Sequence, residues 1–349
     1  MLTLYLEDQF SHAYDIAERI LTADQPAGLA MYVKALCLHR FGQHNLSANL
    51  MLELEKKEAA LNAYDFRYPL LLQQGNSGWL QRYHSRLEQF YRCYHTDGFV
   101  ISYPKSGRTW LRLMIGIYLL KEVRAEAIEI YELTSNNPDW PTVDVSHDDY
   151  PMWKPVDSIV ADKTAYQHNR VLLLVRDPRD VIVSFYFQYT KRGDKKLAND
   201  STFNGSMADF IRHDIGGLPS IVRFMNIWAQ QRHVPDSFQI CRYESLRNKP
   251  ADELTKVLEF LGWRNTDTEP VKNAVKQCEF SRMKKMEKKN KFKNPRLSPP
   301  KDGDPEGYKV RKGVVGGYRK YLSDEDIRWV NDYLNAHLDD YFAYYKNLA

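Results

Sequence analysis

Seven consecutive residues, Pro104-Lys105-Ser106-Gly107-Arg108-Thr109-Trp110, hold the clearest chemistry in this chain. An apolar stretch, Gly98-Phe99-Val100-Ile101-Ser102, precedes them, and an apolar helical pattern begins near Thr109. A glycine and small hydroxyl residues at such a strand-to-helix turn let the backbone approach an anion. The first N–H groups of the helix lack intrahelical partners, and its dipole favours negative charge. Lys105 adds a full positive charge at the same point, so the turn suits a phosphate. It is not the loop of a nucleotide hydrolase: the chain has no Gly-x-x-x-x-Gly-Lys-Ser/Thr, and this lysine precedes the glycine.

Two further segments point to the same chemistry. Val171-Leu172-Leu173-Leu174-Val175 is the unbroken apolar run of a parallel strand covered on both faces, and it ends at Arg176-Asp177-Pro178-Arg179-Asp180. Asp177 can cap and Pro178 can open a helix running from Arg179 to about Thr190. Ser184 lies on that helix, within reach of a phosphate held by the strand-end Arg176. Late in the chain, Arg311-Lys312-Gly313-Val314-Val315-Gly316-Gly317-Tyr318 puts two cations beside glycines. Three anion-binding elements imply a ligand with more than one phosphate.

In this order the three segments resemble the sulfotransferase family, whose members take a sulfuryl group from 3'-phosphoadenosine 5'-phosphosulfate (PAPS) and release the bisphosphate PAP. The resemblance runs from about Gly98 to Tyr321. It implies that Lys105, Ser106, Gly107, Arg108 and Thr109 bind the 5'-phosphosulfate and that Trp110 packs at the adenine. It also implies a 3'-phosphate site of Arg176, Ser184, Arg311, Lys312 and Gly313, with Tyr243 and Phe280 as further adenine contacts. These last two carry less weight, because an aromatic near a strand end is more often ordinary core.

Family members use a histidine between the first two motifs as the base for the acceptor's proton, and only His147 and His168 fall there. His147 ends the alternating stretch Val143-Asp144-Val145-Ser146, which suits a strand delivering it to the carboxyl edge of a sheet. His168 precedes the Val171 strand and belongs at its amino end. His147 is therefore the preferred base, with His168 the alternative and an imidazole's near-neutral titration suited to the task. The leaving phosphate acquires charge as the sulfuryl group departs, and Lys105, Arg108 and the helix start can neutralise it. No metal is called for. The chain departs from common members at Val145, where a lysine is usual, at Arg108, where a threonine is usual, and at Gly317-Tyr318, where Asp-Trp is usual.

The elements needed to position these residues make an α/β fold: a central parallel β-sheet flanked by helices, with the P-loop-like phosphosulfate turn at its edge. At 349 residues, 43% hydrophobic and 27% charged, the chain can build one sizeable core and a smaller module. We divide it into a helical extension, residues 1–95, and a sulfotransferase α/β domain, residues 96–349. In the extension, Ala13, Ile16, Ala17, Ile20 and Leu21, then Tyr32, Ala35, Leu36 and Leu38, then Ala48, Met51, Leu52 and Leu54 fall at helical spacing. Such hairpins resemble tetratricopeptide repeats and could recruit a protein partner; a helical cap on the domain is the plainer expectation.

Between Arg282 and Pro305 six lysines give way to prolines and a glycine, which reads as a long basic loop and a lid over the donor. The net charge of +4 is too mild to favour nucleic acid as a partner. No secretory signal or membrane-spanning stretch is read, and four scattered cysteines fit a cytoplasmic setting. The dimerisation motif of cytosolic members has no counterpart at Ser323-Asp324-Glu325-Asp326. The acceptor is expected to be a small molecule bearing a hydroxyl or amine, in a pocket drawn from Tyr131, Trp140, Tyr150, Trp153, Phe187 and Tyr189. A catalytically inactive helical scaffold and a nucleotide-dependent phosphoryl enzyme are the competing classes. Retention of Lys105, Arg176, Ser184 and His147 argues against the first, and the missing lysine position of the hydrolase loop argues against the second.

Overall fold

The computed structural model describes residues 4–5, 9–22, 28–43, 45–47, 49–50, 53, 93, 96–192, 203, 205–264, 266–292, 297–300, 303–311 and 313–347. They fall into two units, Met1–His95 and Thr96–Ala349. In the first, α1 (Phe10–Thr22) and α2 (Gly28–Arg40) form a helical pair. Ala13 and Ala17, one turn apart, are fully buried, as are Tyr32, Ala35 and Leu36, and Lys34 pairs with Glu18 at 2.8 Å. Small residues four apart let two helix backbones approach closely, which is why alanines mark the contact. Of the third helical stretch expected from the sequence, Ala48, Met51, Leu52 and Leu54 lie outside the described residues.

The second unit is built on a four-stranded parallel sheet of order β2-β1-β3-β4, with β1 Gly98–Ile101, β2 Val143–Ser146, β3 Arg170–Val175 and β4 Ser237–Arg242. Helices connect and cover it: α3 (Arg108–Leu120), α4 (Ile130–Ser135), α5 (Pro178–Arg192), α6 (Met207–Arg212), α7 (Leu218–Gln230), α8 (Tyr243–Asn248), α9 (Pro250–Leu261), α10 (Thr268–Gln277), α11 (Phe280–Lys288) and α12 (Asp324–His337). The two-residue period of β3 divides its side chains between two helical layers. Leu172 and Leu174 join Val100 in a core with α3, α9 and α10. On the other face, Phe99 meets Tyr166 at 5.2 Å, and Tyr166 meets Trp228 of α7 at 5.5 Å. With both faces covered, β3 has no polar residue after Arg170, and Val171 through Val175 are buried. Each such aliphatic side chain contributes on the order of 1.5–3 kcal/mol of burial energy.

The chain leaves β1 toward β2 on one side and reaches β3 on the other, so the loops after β1 and β3 diverge. A crevice at the carboxyl ends of the strands follows from that strand order, and ligands of open α/β sheets bind there. Among the described residues no helix is long and apolar enough to cross a membrane. The expected basic loop is corrected at its start: Phe280–Lys288 is helical, because Met283 and Glu287, four apart, are both buried. Glu287 accepts the backbone N–H groups of Lys309 at 2.6 Å and Val310 at 2.7 Å. Residues 293–296 and 301–302 of that stretch lie outside the description.

Candidate functional site

All four strands end at residues singled out from the sequence. The β1 turn begins with Tyr103 and Pro104, both buried, and Lys105 follows in a left-handed conformation (φ 72°) with its Nζ donating to Gln188 Oε1 of α5 at 3.2 Å. Gly107 caps α3 with φ 102° and, having no side chain, makes no side-chain cap bond to the first turn. Trp110 and Leu111 return N–H bonds to the Gly107 carbonyl at 3.0 and 3.2 Å. The helix therefore starts with donors and a positive dipole end open to an anion. A Cβ on Gly107 would come within 2.6 Å of the Tyr243 ring, so Tyr243, first residue of α8 after β4, packs directly on this turn. Trp110 meets Tyr243 edge-on at 6.0 Å and donates its Nε1–H to the Cys278 carbonyl at 2.9 Å. Ser106 is buried and Thr109 is half-buried in the first turn of α3.

After β2, His147 is held from two sides. Its Nδ1 lies 2.7 Å from the Ser102 carbonyl and its Nε2 lies 2.6 Å from Nη2 of Arg108. Burial, then the Arg108 charge, with lesser contributions from Lys309 and Arg112, depress its pKa well below the ordinary 6.5, so the ring is neutral at physiological pH. The next residue, Asp148, is left-handed at φ 58°; its carboxylate pairs with Lys163 at 2.7 Å and accepts from Tyr166 Oη at 2.9 Å. His168 is exposed just before the amino end of β3, at the opposite end of the sheet from His147.

Arg176, leaving β3, donates to the Lys105 carbonyl at 3.2 Å and the Val314 carbonyl at 3.1 Å, and its guanidinium sits 4.4 Å from the Tyr243 ring centre. It pairs with Asp180 one turn into α5, at 3.3 Å. Asp180 in turn accepts the Gly316 N–H at 2.8 Å and the Tyr318 N–H at 3.0 Å, fastening the late glycine-rich segment over the β1 and β3 turns. Ser184, one helical turn beyond Asp180, is nine-tenths buried. Gly313 (φ 62°) lies against Phe280, whose ring a Cβ would meet at 2.5 Å. Arg311 is held by Glu306 at 2.6 Å and by Tyr321 Oη at 2.8 Å, with Phe187 and Tyr321 rings 4.7 and 5.1 Å from its guanidinium. Lys312 lies outside the described residues.

The three sequence segments thus meet through Arg176 and Asp180, and Tyr243 and Phe280 each pack on a glycine of one of them. Gln188, Ser102, Asp180 and Glu287 act in this arrangement and were not singled out from the sequence. Asp180 alone stood in a segment already marked out, the Arg176-Asp177-Pro178-Arg179-Asp180 turn. The six aromatics expected to line one pocket are divided. Trp153 and Tyr189 join Phe185, Phe187 meets Tyr321, Trp140 packs on the core, and Tyr131 and Tyr150 are exposed.

Fold and site together define a doubly wound α/β protein that brings the β1 turn, the late glycine-rich segment and a neutral imidazole to one sheet edge. Residues 95–342 match the family model described as the sulfotransferase domain, and the chain belongs to the sulfotransferase family. It is similar to cytosolic sulfotransferase 17 of Arabidopsis thaliana, with 26% identity over 73% of this chain and 79% of the relative. It is also similar to flavonol 3-sulfotransferase of Flaveria bidentis, with 22% identity over 72% and 84%. Among solved structures, retinol dehydratase in a complex with retinol and PAP shares the fold, with a TM-score of 0.51 and 18% identity over 76% of this chain and 88% of that one.

Proposed function

We propose that this protein transfers the sulfuryl group of PAPS to a hydroxyl or amine of a small organic acceptor, with His147 as general base. The observation that carries this reading is the joining of the uncapped α3 start, Lys105, Arg176 and the glycine-rich segment at the sheet edge where His147 also ends β2. The residues fit such a donor: Gly107 and Gly313 let the Tyr243 and Phe280 rings close on the β1 turn and the late segment, where a Cβ would collide with them. These two rings and Trp110 offer faces for an adenine. The α3 start and Lys105 would hold the 5' end, and Arg176, Ser184 and the 311–313 segment the 3'-phosphate.

When bound, PAPS supplies the sulfuryl group: the acceptor's oxygen or nitrogen bonds to sulfur as the bond from sulfur to the phosphate oxygen breaks. His147, neutral and carrying its proton on Nδ1, accepts the acceptor's proton on Nε2. Ser102 fixes the ring's tautomer. Lys105 and the α3 dipole stabilise the charge left behind. The residues 96–349 make the catalytic domain in this reading, with the helices of 1–95 an extension. The name of the Arabidopsis relative supports a cytosolic setting, and that of the Flaveria relative a planar acceptor.

The reading is tested by calorimetry with PAP and by turnover of radiolabelled PAPS against phenols, alcohols, amines and sugars. Binding and label transfer to at least one class are expected. A folded protein without affinity for PAP would overturn it.

A further inference from the structure

The nitrogen that must accept the proton is already engaged. A carbonyl only accepts hydrogen bonds, so the 2.7 Å contact with Ser102 puts the ring proton on Nδ1 and leaves the lone pair on Nε2. A guanidinium only donates, so the 2.6 Å contact with Arg108 Nη2 occupies that lone pair. With Arg108 in this position His147 cannot take a proton, and an imidazolium formed there would face a cation.

Arg108 is also the first residue of α3, the helix whose open N-terminus suits an anion. A guanidinium facing an anionic oxygen gains charge–charge attraction and can bond it through two N–H groups, neither of which a neutral imidazole offers. An anion at the start of α3 would therefore compete with the imidazole for Arg108.

We propose that Arg108 is a catalytic residue that caps the proton-accepting nitrogen of His147 in the donor-free enzyme and releases it to the donor's charged groups on binding. The inference rests on the function proposed above. It makes the base available only when a sulfuryl group is present to be accepted; the acceptor's proton then goes to the vacated Nε2, while Nδ1–H stays on Ser102.

Among the described residues, three charged groups act on the ring. Arg108 and Arg112 come from α3, and Lys309 from the segment held by Glu287. The acids next in sequence are turned to lysines, Asp148 to Lys163 and Asp149 to Lys154. A change in His147 titration on removing the Arg108 charge is therefore assignable to the cap.

The test is a pH titration of His147 followed by nitrogen chemical shifts in histidine-labelled full-length protein, with a His147→Gln variant for assignment and PAP as the probe. In the parent, the donor-free ring should stay in the Nδ1–H form well below 6.5, and saturating PAP should raise its midpoint by about one unit or more. In Arg108→Thr the donor-free midpoint should rise toward 6.5, and PAP should move it less than in the parent. Arg108→Lys, which keeps charge but not the planar fork, should fall between the two. Equal donor-free midpoints in parent and Arg108→Thr, or equal responses to PAP, would overturn the proposal. Calorimetry on the same samples separates the two levels: a parent that fails to bind PAP sinks the donor reading and the cap with it, whereas normal PAP binding with an indifferent His147 sinks the cap alone.

Discussion

The ring of Tyr243 occupies the space that a side chain on Gly107 would need, its Cδ2 lying 2.6 Å from the ideal Cβ position. Gly107 also has φ 102°, a conformation that L side chains resist. Gly107→Ala must therefore either push Tyr243 away or flatten the turn, and both disturb the same anion site. The strain is on the order of 1–3 kcal/mol. PAP affinity measured by calorimetry should fall by about tenfold or more, with the melting temperature lowered only modestly. Parent-like affinity would show that the turn does not touch the nucleotide.

Arg176 spends its donors on the Lys105 and Val314 carbonyls and on Asp180, so it reports on a phosphate and on loop closure together. A charged hydrogen bond contributes about 1.5–3 kcal/mol. Arg176→Ala should accordingly weaken PAP by roughly tenfold to a hundredfold while weakening a 3'-dephospho analogue much less. Similar losses for both nucleotides would assign Arg176 to closure of the 314–318 segment instead.

Much of this was legible in the residues because apolar runs and turn chemistry are local. The β1 and β3 strands and the helices that follow them were read from spacing; His147 and His168 were singled out through the family resemblance and told apart by the strands beside them. What was not legible depends on contacts distant in sequence. Glu287 sits in a lysine-rich stretch that reads as solvated loop, yet its buried carboxylate anchors the backbone of Lys309 and Val310 and turns that stretch into helix. Asp180 reads as an ordinary first-turn acid, but its partners lie at Gly316 and Tyr318. Which aromatic rings meet was illegible for a related reason: their side chains leave different elements, and only the packed sheet and helices decide it.

In the proposed reaction His147 carries the pH dependence. Its folded-state pKa is depressed below 6.5 by burial and by Arg108. The neutral base therefore persists as pH falls through the unfolded value, and the acid limb of the rate profile should lie below 6.5. The same shift acts on stability with a definite sign. Above 6.5 both states are neutral and the residue contributes nothing; below it the unfolded chain binds a proton that the folded ring refuses, so stability falls with falling pH. His147→Ala should lower the turnover rate on the order of a hundredfold or more, leave PAP affinity near that of the parent, and reduce the loss of urea resistance toward acid pH. If His168→Ala is the crippled variant, the base has been misassigned.

The Asp148–Lys163 pair is enclosed on all sides, each side chain 2% exposed, with Tyr166 donating to the carboxylate and the Trp228 ring 5.5 Å from the ammonium. Removing one partner leaves a buried charge without compensation, which costs about 3–5 kcal/mol, whereas replacing both by neutral groups of similar volume is often tolerated. Lys163→Met should therefore lower the urea midpoint sharply, and Asp148→Asn with Lys163→Met should recover most of the loss. Because Asp148 follows His147 directly and reverses the chain at φ 58°, the recovered double variant also separates stability from placement. A restored midpoint with a reduced turnover rate and unchanged PAP affinity would mean that the charged pair holds the imidazole in register. Restoration of both would limit the pair to the stability of the domain.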